Sequence, residues 1–153
     1  MSVQSHSSPR ACSNFKLRQL MRRVSQHYDA ELGKAGLKTT QYSLLSHVAR
    51  LGPLRPGELA NSMAIDASTL TRNLKPLVAA GLISVAPGSD ARSHAVAITE
   101  SGRSKRNDAQ RHWKVAQDGL DTLLGAEDVA GLHTLIDRCL ERFSSVEDGQ
   151  SDE

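Results

Sequence analysis

The stretch that decides the fold is Asp66-Ala-Ser-Thr-Leu-Thr-Arg-Asn-Leu-Lys-Pro-Leu-Val-Ala-Ala-Gly81. Its apolar residues recur at the spacing of a helix that buries one face, namely Leu70, Leu74, Leu77 and Val78. The outward residues are small and hydroxylated or basic, namely Ser68, Thr69, Thr71, Arg72 and Lys75. Asp66 is a residue type that caps helix starts. Short polar side chains followed by Arg and Lys suit the DNA major groove, so this helix is a candidate reading element.

The composition indicates one domain with a thin core. A chain of 153 residues can bury a core of its own, but only 39% of the residues are hydrophobic and 3% are aromatic. Long helices that share a core across a homodimer would make up the deficit. The net charge is only +2 because four acidic residues lie at the C-terminus, which leaves a basic body that suits a polyanion such as double-stranded DNA.

Several function classes find little support. No apolar run reaches the roughly 18 residues of a membrane span, and residues 1 to 9 lack the apolar core of a secretion signal, so we expect a cytoplasmic protein. The six histidines and two cysteines show no metal-ligand spacing, and no glycine-rich phosphate loop follows a strand. We therefore expect that the protein is not an enzyme and that it binds no metal or cofactor.

The residues before Asp66 predict three helices. Residues 1 to 10 are polar and aperiodic, which is typical of a mobile arm. A long amphipathic helix should begin near Ser13 or Asn14 and end at Gly33 or Gly36. A second helix, capped by Thr39 or Thr40, should end at Leu51-Gly52-Pro53, and a short third helix should span Pro56 to Met63. The third helix, a tight turn and the Asp66 helix form a helix-turn-helix.

The residues after Gly81 predict a β-hairpin and two more helices. The runs 82–86 and 94–98 flank a turn-rich segment that contains Asp90 and Arg92. At this position the hairpin would be a wing, with Arg92 in an adjacent minor groove and Asp90 orienting it, although an ordinary surface pair reads the same way. A long helix should start at Thr99-Glu-Ser-Gly102, and a final one near Glu127. Pro76 should kink the recognition helix or end its regular part, which limits base contacts to its first turns.

Residues 12 to 145 resemble the MarR family of bacterial transcription regulators. The resemblance is carried by the order and spacing of Gly52-Pro-Leu54, Leu59-Ala60, Thr69-Leu-Thr-Arg-Asn-Leu74, Ala80-Gly-Leu-Ile83, Asp90-Ala-Arg92 and Ile98-Thr-Glu-Ser-Gly102. It implies a mainly α fold with a small β-hairpin wing, which is a winged helix-turn-helix with a helical dimerisation domain. It also implies DNA contacts by Ser68, Thr69, Thr71, Arg72, Lys75 and Arg92, with Asp90 positioning the arginine.

The same resemblance implies a division of the chain and a dimeric repressor. Residues 11–36 and 100–145 would form the dimerisation region, 37–99 the DNA-binding lobe, 1–10 a mobile arm and 146–153 an acidic flexible tail. The homodimer would bind a pseudo-palindromic operator, with two recognition helices about 34 to 36 Å apart.

Two release mechanisms stay open. Similar regulators bind aromatic or phenolic carboxylates in a cleft, for which Tyr28, His47 and Trp113 are the candidate lining residues, although each also suits core packing. The alternative is thiol oxidation at Cys12, at the start of the first helix, with or without Cys139. Cys12 has no aromatic neighbour in sequence, and Cys139 lies on the apolar face of its helix, which favours packing.

Overall fold

The computed structural model describes residues 11–88, 90 and 93–150, and it confirms the predicted fold class. The chain is mainly helical with one antiparallel hairpin. Its elements in order are α1 (Ser13–Leu32), a 3-10 turn (Gly33–Ala35), α2 (Thr39–Leu51), α3 (Pro56–Ser62), α4 (Ala67–Ala79), β1 (Ile83–Pro87), β2 (His94–Ile98), α5 (Glu100–Leu124) and α6 (Ala126–Gln150). The predicted arm (residues 1–10) and Arg92 lie outside the described residues, as do 151–153 of the predicted tail.

The chain divides into two compact units, Met1–Ala116 and Gln117–Glu153. The first unit holds the main core, because α2, α3, α4 and the hairpin bring their apolar faces together. Its fully buried side chains are Leu32, Leu44, Leu45, Val48, Leu59, Leu70, Leu77, Ile83 and Val96. In α4 the predicted inward residues Leu70, Leu74 and Leu77 are buried, whereas Val78 is 40% exposed. The buried apolar face of α4 therefore fixes the orientation of the helix, and its hydroxyl-bearing and basic face is exposed to solvent.

The hairpin is joined to the helix-turn-helix by a short third strand segment. β1 and β2 pair with Ile83 opposite Ile98 and Pro87 opposite His94. On the other edge of β2, Leu54 and Val96 exchange two backbone hydrogen bonds of 3.1 and 2.8 Å. The sequence indicated only a helix end at Gly52-Pro53, so this bridge was not predicted. It ties the base of the wing to the segment between α2 and α3.

The start of α5 is packed directly against the end of α4. Thr99 donates its hydroxyl to the Gly81 carbonyl at 2.7 Å, and its backbone N–H bonds to the carbonyl of Leu82 at 3.1 Å. The same hydroxyl accepts from the N–H of Gly102 at 2.9 Å, which caps α5. A side chain at position 102 would collide with the Leu82 carbonyl, so the Thr-x-x-Gly spacing has a packing reason. We call this arrangement of Gly81, Leu82, Thr99 and Gly102 the α5 joint.

Helix ends differ in detail from the predictions. The residue before α1 is Cys12 rather than Ser13 or Asn14, and Lys38 rather than a threonine precedes α2. Thr39 instead donates its N–H and its hydroxyl to Asp29, at 2.7 and 2.6 Å. Thr39 is thus the first helical residue rather than the cap, and the ionised Asp29 carboxylate satisfies its N–H, one of the groups that has no partner within the helix.

Two element boundaries differ from the predictions. Of the two outcomes predicted for Pro76, an end of the regular helix is wrong, because α4 continues to Ala79, and a kink stays a prediction. Proline removes only one backbone N–H from the helix, and the flanking Leu74 and Leu77 remain buried. The last helix reaches Gln150, so residues 146–150 are helical rather than part of a flexible tail. Glu147 and Asp148 are polar, but polarity alone does not end a helix.

The second unit consists of the end of α5, a turn and α6. Gly125 adopts a left-handed φ of 90° between the two helices, and Val129 donates its N–H to the Gly125 carbonyl at 3.0 Å. Leu120 and Val129 are buried. Cys139 is exposed rather than packed. Over the part of the chain that is described, no helix combines the length and hydropathy that a membrane span needs.

Candidate nucleic-acid interface and ligand cavity

The recognition helix α4 begins with a hydrogen-bonded cap, as predicted. The Asp66 carboxylate accepts the backbone N–H of Thr69 at 2.7 Å, the hydroxyl of Ser68 at 2.7 Å and the hydroxyl of Thr69 at 3.0 Å. These bonds, with the Ser68 hydroxyl contributing most, lower the pKa of Asp66 from 3.8 to about 2. The carboxylate is therefore ionised at neutral pH and fixes the first turn.

These hydrogen bonds determine which groups on the exposed face of α4 remain free to accept and which to donate. Ser68 and Thr69 direct their only hydroxyl protons to Asp66, and Thr71 donates to the carbonyl of Ala67 at 2.9 Å. Their oxygens retain lone pairs toward solvent, so in this arrangement all three act as acceptors. Arg72 and Lys75 are exposed on the same helix and supply the donors. The face can thus accept from adenine N6 or cytosine N4 and donate to guanine or phosphate.

The wing is described up to the base of its loop. Gly88 donates its N–H to the Ser93 carbonyl at 2.7 Å, and the Asp90 carboxylate accepts the N–H of Ser93 at 2.9 Å. Asp90 therefore stabilises the loop through the backbone. Its predicted pairing with Arg92 stays a prediction, since Arg92 lies outside the described residues.

The three residues predicted to line a ligand cleft lie together. Tyr28 from α1, His47 from α2 and Trp113 from α5 all line one cavity of about 520 Å³, which we call the aromatic cavity. Tyr42 stacks against Trp113 with ring centroids 6.3 Å apart and planes 25° apart. A volume between about 300 and 1,000 Å³ is typical of small-molecule sites. Whether the cavity takes a ligand stays a prediction.

Polar groups of the aromatic cavity are already partly oriented. His47 donates Nδ1–H to the Ser43 carbonyl at 2.7 Å, so in the neutral ring Nε2 carries the lone pair. Arg106 donates Nε–H to the hydroxyl of Ser46 at 3.3 Å and an Nη1 proton to Gln110 at 3.0 Å. A guanidinium has five protons, so Arg106 keeps donors for an anion.

Sequence reasoning missed Tyr42 and Arg106 as lining residues. Neither residue belongs to a motif that the sequence analysis singled out. The available signal was spacing: Arg106, Gln110 and Trp113 follow one another by four and three positions on α5 and so share one face.

The two cysteines predicted as redox residues are not joined in a disulfide. Cys12 and Cys139 are free and exposed, and they belong to different units. Within the described residues, no group of three or more His, Cys, Asp or Glu side chains could hold a metal ion.

Comparison with known proteins agrees with this geometry. The family model described as MarR family matches residues 35–93, which hold the helix-turn-helix and the first strand of the wing. The crystal structure of the M. tuberculosis transcriptional regulator MosR in complex with DNA is 30% identical, with a TM-score of 0.69, over 84% of this chain and 98% of that one. The chain belongs to the MarR family.

Further relatives agree with this assignment. The uncharacterised HTH-type transcriptional regulator YwoH of Bacillus subtilis is 27% identical over 90 residues, which are 59% of this chain and 66% of that protein, just under two thirds of its length. A mutant MarR from E. coli complexed with operator DNA has the same fold, with 22% identity and a TM-score of 0.75 over 83% of this chain and 92% of that one. This MarR-family protein is a DNA-binding transcriptional regulator.

Proposed function

We propose that this MarR-family protein is a dimeric repressor that binds a pseudo-palindromic operator and leaves it when a small aromatic ligand binds. The observation that supports DNA binding is the capped helix α4, whose outward face carries Ser68, Arg72 and Lys75 and which is followed by a hairpin. Two copies would place two such helices about 34 to 36 Å apart, in successive major grooves.

The contacts divide by chemistry. Arg72 and Lys75 would donate to guanine or phosphate, while the hydroxyl oxygens of Ser68, Thr69 and Thr71 would accept from base amino groups. Arg92 would enter the minor groove from the wing, with Asp90 holding the loop. Specificity would then be shared between α4 and the wing.

The DNA contacts can be tested by fluorescence anisotropy on a duplex chosen by unbiased operator selection, over a series of salt concentrations. Arg72→Ala should weaken binding at least tenfold, and the salt slope should fall by roughly one if the contact is to phosphate. Arg92→Ala should also weaken binding strongly, and an unchanged affinity would reject the wing assignment. Arg111→Ala is the matched control, because Arg111 is exposed and paired with Asp108 on α5.

Exposed apolar side chains support a homodimer. In the first unit, the start of α1 exposes Phe15, Leu17 and Met21 by 60% or more. In the second unit, the exposed apolar side chains of α5 and α6 are Leu123, Leu135, Ile136, Leu140, Phe143 and Val146. Apolar surface of this extent is unusual on a monomer. Sedimentation equilibrium should give twice the chain mass, and Phe143→Glu should shift it toward the monomer; a monomeric wild type would refute the proposal.

The aromatic cavity supports release by an aromatic or phenolic carboxylate. The ring would lie among Tyr28, Tyr42 and Trp113, and Arg106 would bind the carboxylate. Since Trp113 is the single tryptophan, its fluorescence reports directly on this cavity. Benzoate or salicylate should change the emission and lower DNA affinity in the same concentration range. Arg106→Gln should weaken both effects, and an emission that stays constant up to millimolar ligand would refute ligand control.

Thiol oxidation is the second candidate, because Cys12 and Cys139 are exposed and free. Peroxide treatment followed by a non-reducing gel should show a covalent dimer that Cys12→Ser removes, with a parallel loss of DNA binding. Treated protein that stays unlinked and still binds DNA would remove this mechanism.

A further inference from the structure

A second cavity adjoins the aromatic cavity, and its lining is strongly basic. It has a volume of about 460 Å³ and is lined by Ser46, His47, Ala49, Arg50, Arg103, Arg106 and Asn107. We call it the arginine cavity. Three of its lining residues, Ser46, His47 and Arg106, also line the aromatic cavity. The two spaces therefore share one wall, and none of the described residues that line the arginine cavity is acidic.

Two helices bring the three arginines together. Arg103 and Arg106 are three positions apart on α5, and Arg50 follows Ser46 by four positions on α2. The 3.3 Å bond from Arg106 to Ser46 fastens these faces to each other. Among the described residues, Arg50 and Arg103 have neither an ion-pair nor a hydrogen-bond partner for their guanidinium groups.

This arrangement suits an anion. Three guanidinium groups line one cavity, and Arg103 lies in the first turn of α5, where the positive end of the helix dipole also attracts an anion. Arg50 differs, because it lies in the last turn of α2, where a cation is favoured. Arg103 thus lies at the helix end where the dipole does not favour a cation, and a bound anion would compensate its charge.

We propose that the two cavities form one bipartite site for a ligand whose aromatic ring is joined to a doubly charged phosphate group, as in an aryl phosphate. The proposal rests on the proposed ligand control and specifies its chemistry. A carboxylate carries one charge and is satisfied by one guanidinium, whereas a phosphate dianion offers three oxygens to several arginines. Arg106, on the shared wall, would contact the phosphate beside the ring, and Arg50 and Arg103 would bind its outer oxygens.

The test is a Trp113 fluorescence titration of the full chain with phenyl phosphate, benzoate and inorganic phosphate. At pH 7.5 the phosphate ester is mostly dianionic, since its second pKa is about 6. Phenyl phosphate should bind at least tenfold more tightly than benzoate or inorganic phosphate. Arg103→Gln should weaken the binding of phenyl phosphate at least tenfold and the binding of benzoate less than twofold. Arg111→Gln, which removes the same charge elsewhere on α5, should change neither.

Each contrary result is decisive and separable from the proposed function. Benzoate that binds as tightly as phenyl phosphate would overturn the bipartite site and leave control by an aromatic carboxylate standing. Inorganic phosphate that binds as tightly would show that the ring contributes nothing, which also overturns it. No response to any of the three would overturn this inference and ligand control together. A final measurement is the affinity of each variant for duplex DNA without ligand. If Arg103→Gln lowers this affinity tenfold more than Arg111→Gln does, the arginines bind DNA and the inference fails.

Discussion

Substitution of Gly102 by alanine should destabilise the protein through the α5 joint. An added Cβ would lie 2.8 Å from Ile98 Cγ1 and 3.0 Å from the carbonyl carbon of Leu82, and closer still to the oxygen of that carbonyl. Carbon atoms pack comfortably at about 3.5 to 4.0 Å. Two of these three atoms are backbone, so a rotamer change cannot relieve the contact, and the start of α5 must move away from the hairpin.

The size of the effect follows from two opposed terms. Overpacking of this kind costs about 3 kcal/mol, the upper end of the usual range. Alanine in a helix recovers about 1 kcal/mol relative to glycine. The net loss of about 2 kcal/mol corresponds to a Tm lower by roughly 4 to 8 °C for a chain of this size.

The assay is thermal unfolding followed by circular dichroism at fixed protein concentration, because dimer stability depends on concentration. Gly57→Ala is the matched control, since Gly57 is exposed in α3 and its added Cβ would meet nothing within 4 Å. Its Tm should equal or slightly exceed that of the wild type. A Gly102→Ala protein as stable as this control would refute the reasoning about the α5 joint.

Two further predictions concern α4. Asp66→Asn should lower Tm at neutral pH, and the difference from wild type should shrink as pH falls from about 4 through about 2. The pKa of Asp66 is lower in the folded protein than in the unfolded chain, so its ionised carboxylate stabilises the fold above the unfolded pKa, and this stabilisation is lost as pH falls through the folded pKa. A Tm difference that is constant from pH 7 to pH 2 in parallel melts would contradict the cap assignment. Leu70→Ala should cost about 2 to 5 kcal/mol in urea unfolding, because Leu70 is only 2% exposed, yet change DNA affinity less than twofold at a temperature where the variant is folded; a tenfold loss of affinity by the folded variant would place Leu70 on the DNA face.

Local patterns in the sequence were sufficient for the elements. The 3.6-residue period of α4, the cap at Asp66 and the alternation of β2 depend on neighbours within one or two turns, so they can be read along the chain. The same holds for the order of the motifs that indicated the MarR family. The amphipathic period of α1 could also be predicted, but a period does not show what covers the apolar face, and most of α1 is exposed in the single chain.

What only the tertiary structure decided is which distant residues meet. The bridge from Leu54 to Val96, the contact of Gly102 with Leu82, and the meeting of Tyr28, Tyr42 and Trp113 in one cavity all join separate elements. So does the gathering of Arg50, Arg103 and Arg106 around a second cavity, which in sequence looked like ordinary surface charge. Spacing along a helix fixes a side chain's face, whereas the packing of one helix on another determines which faces meet and enclose a site.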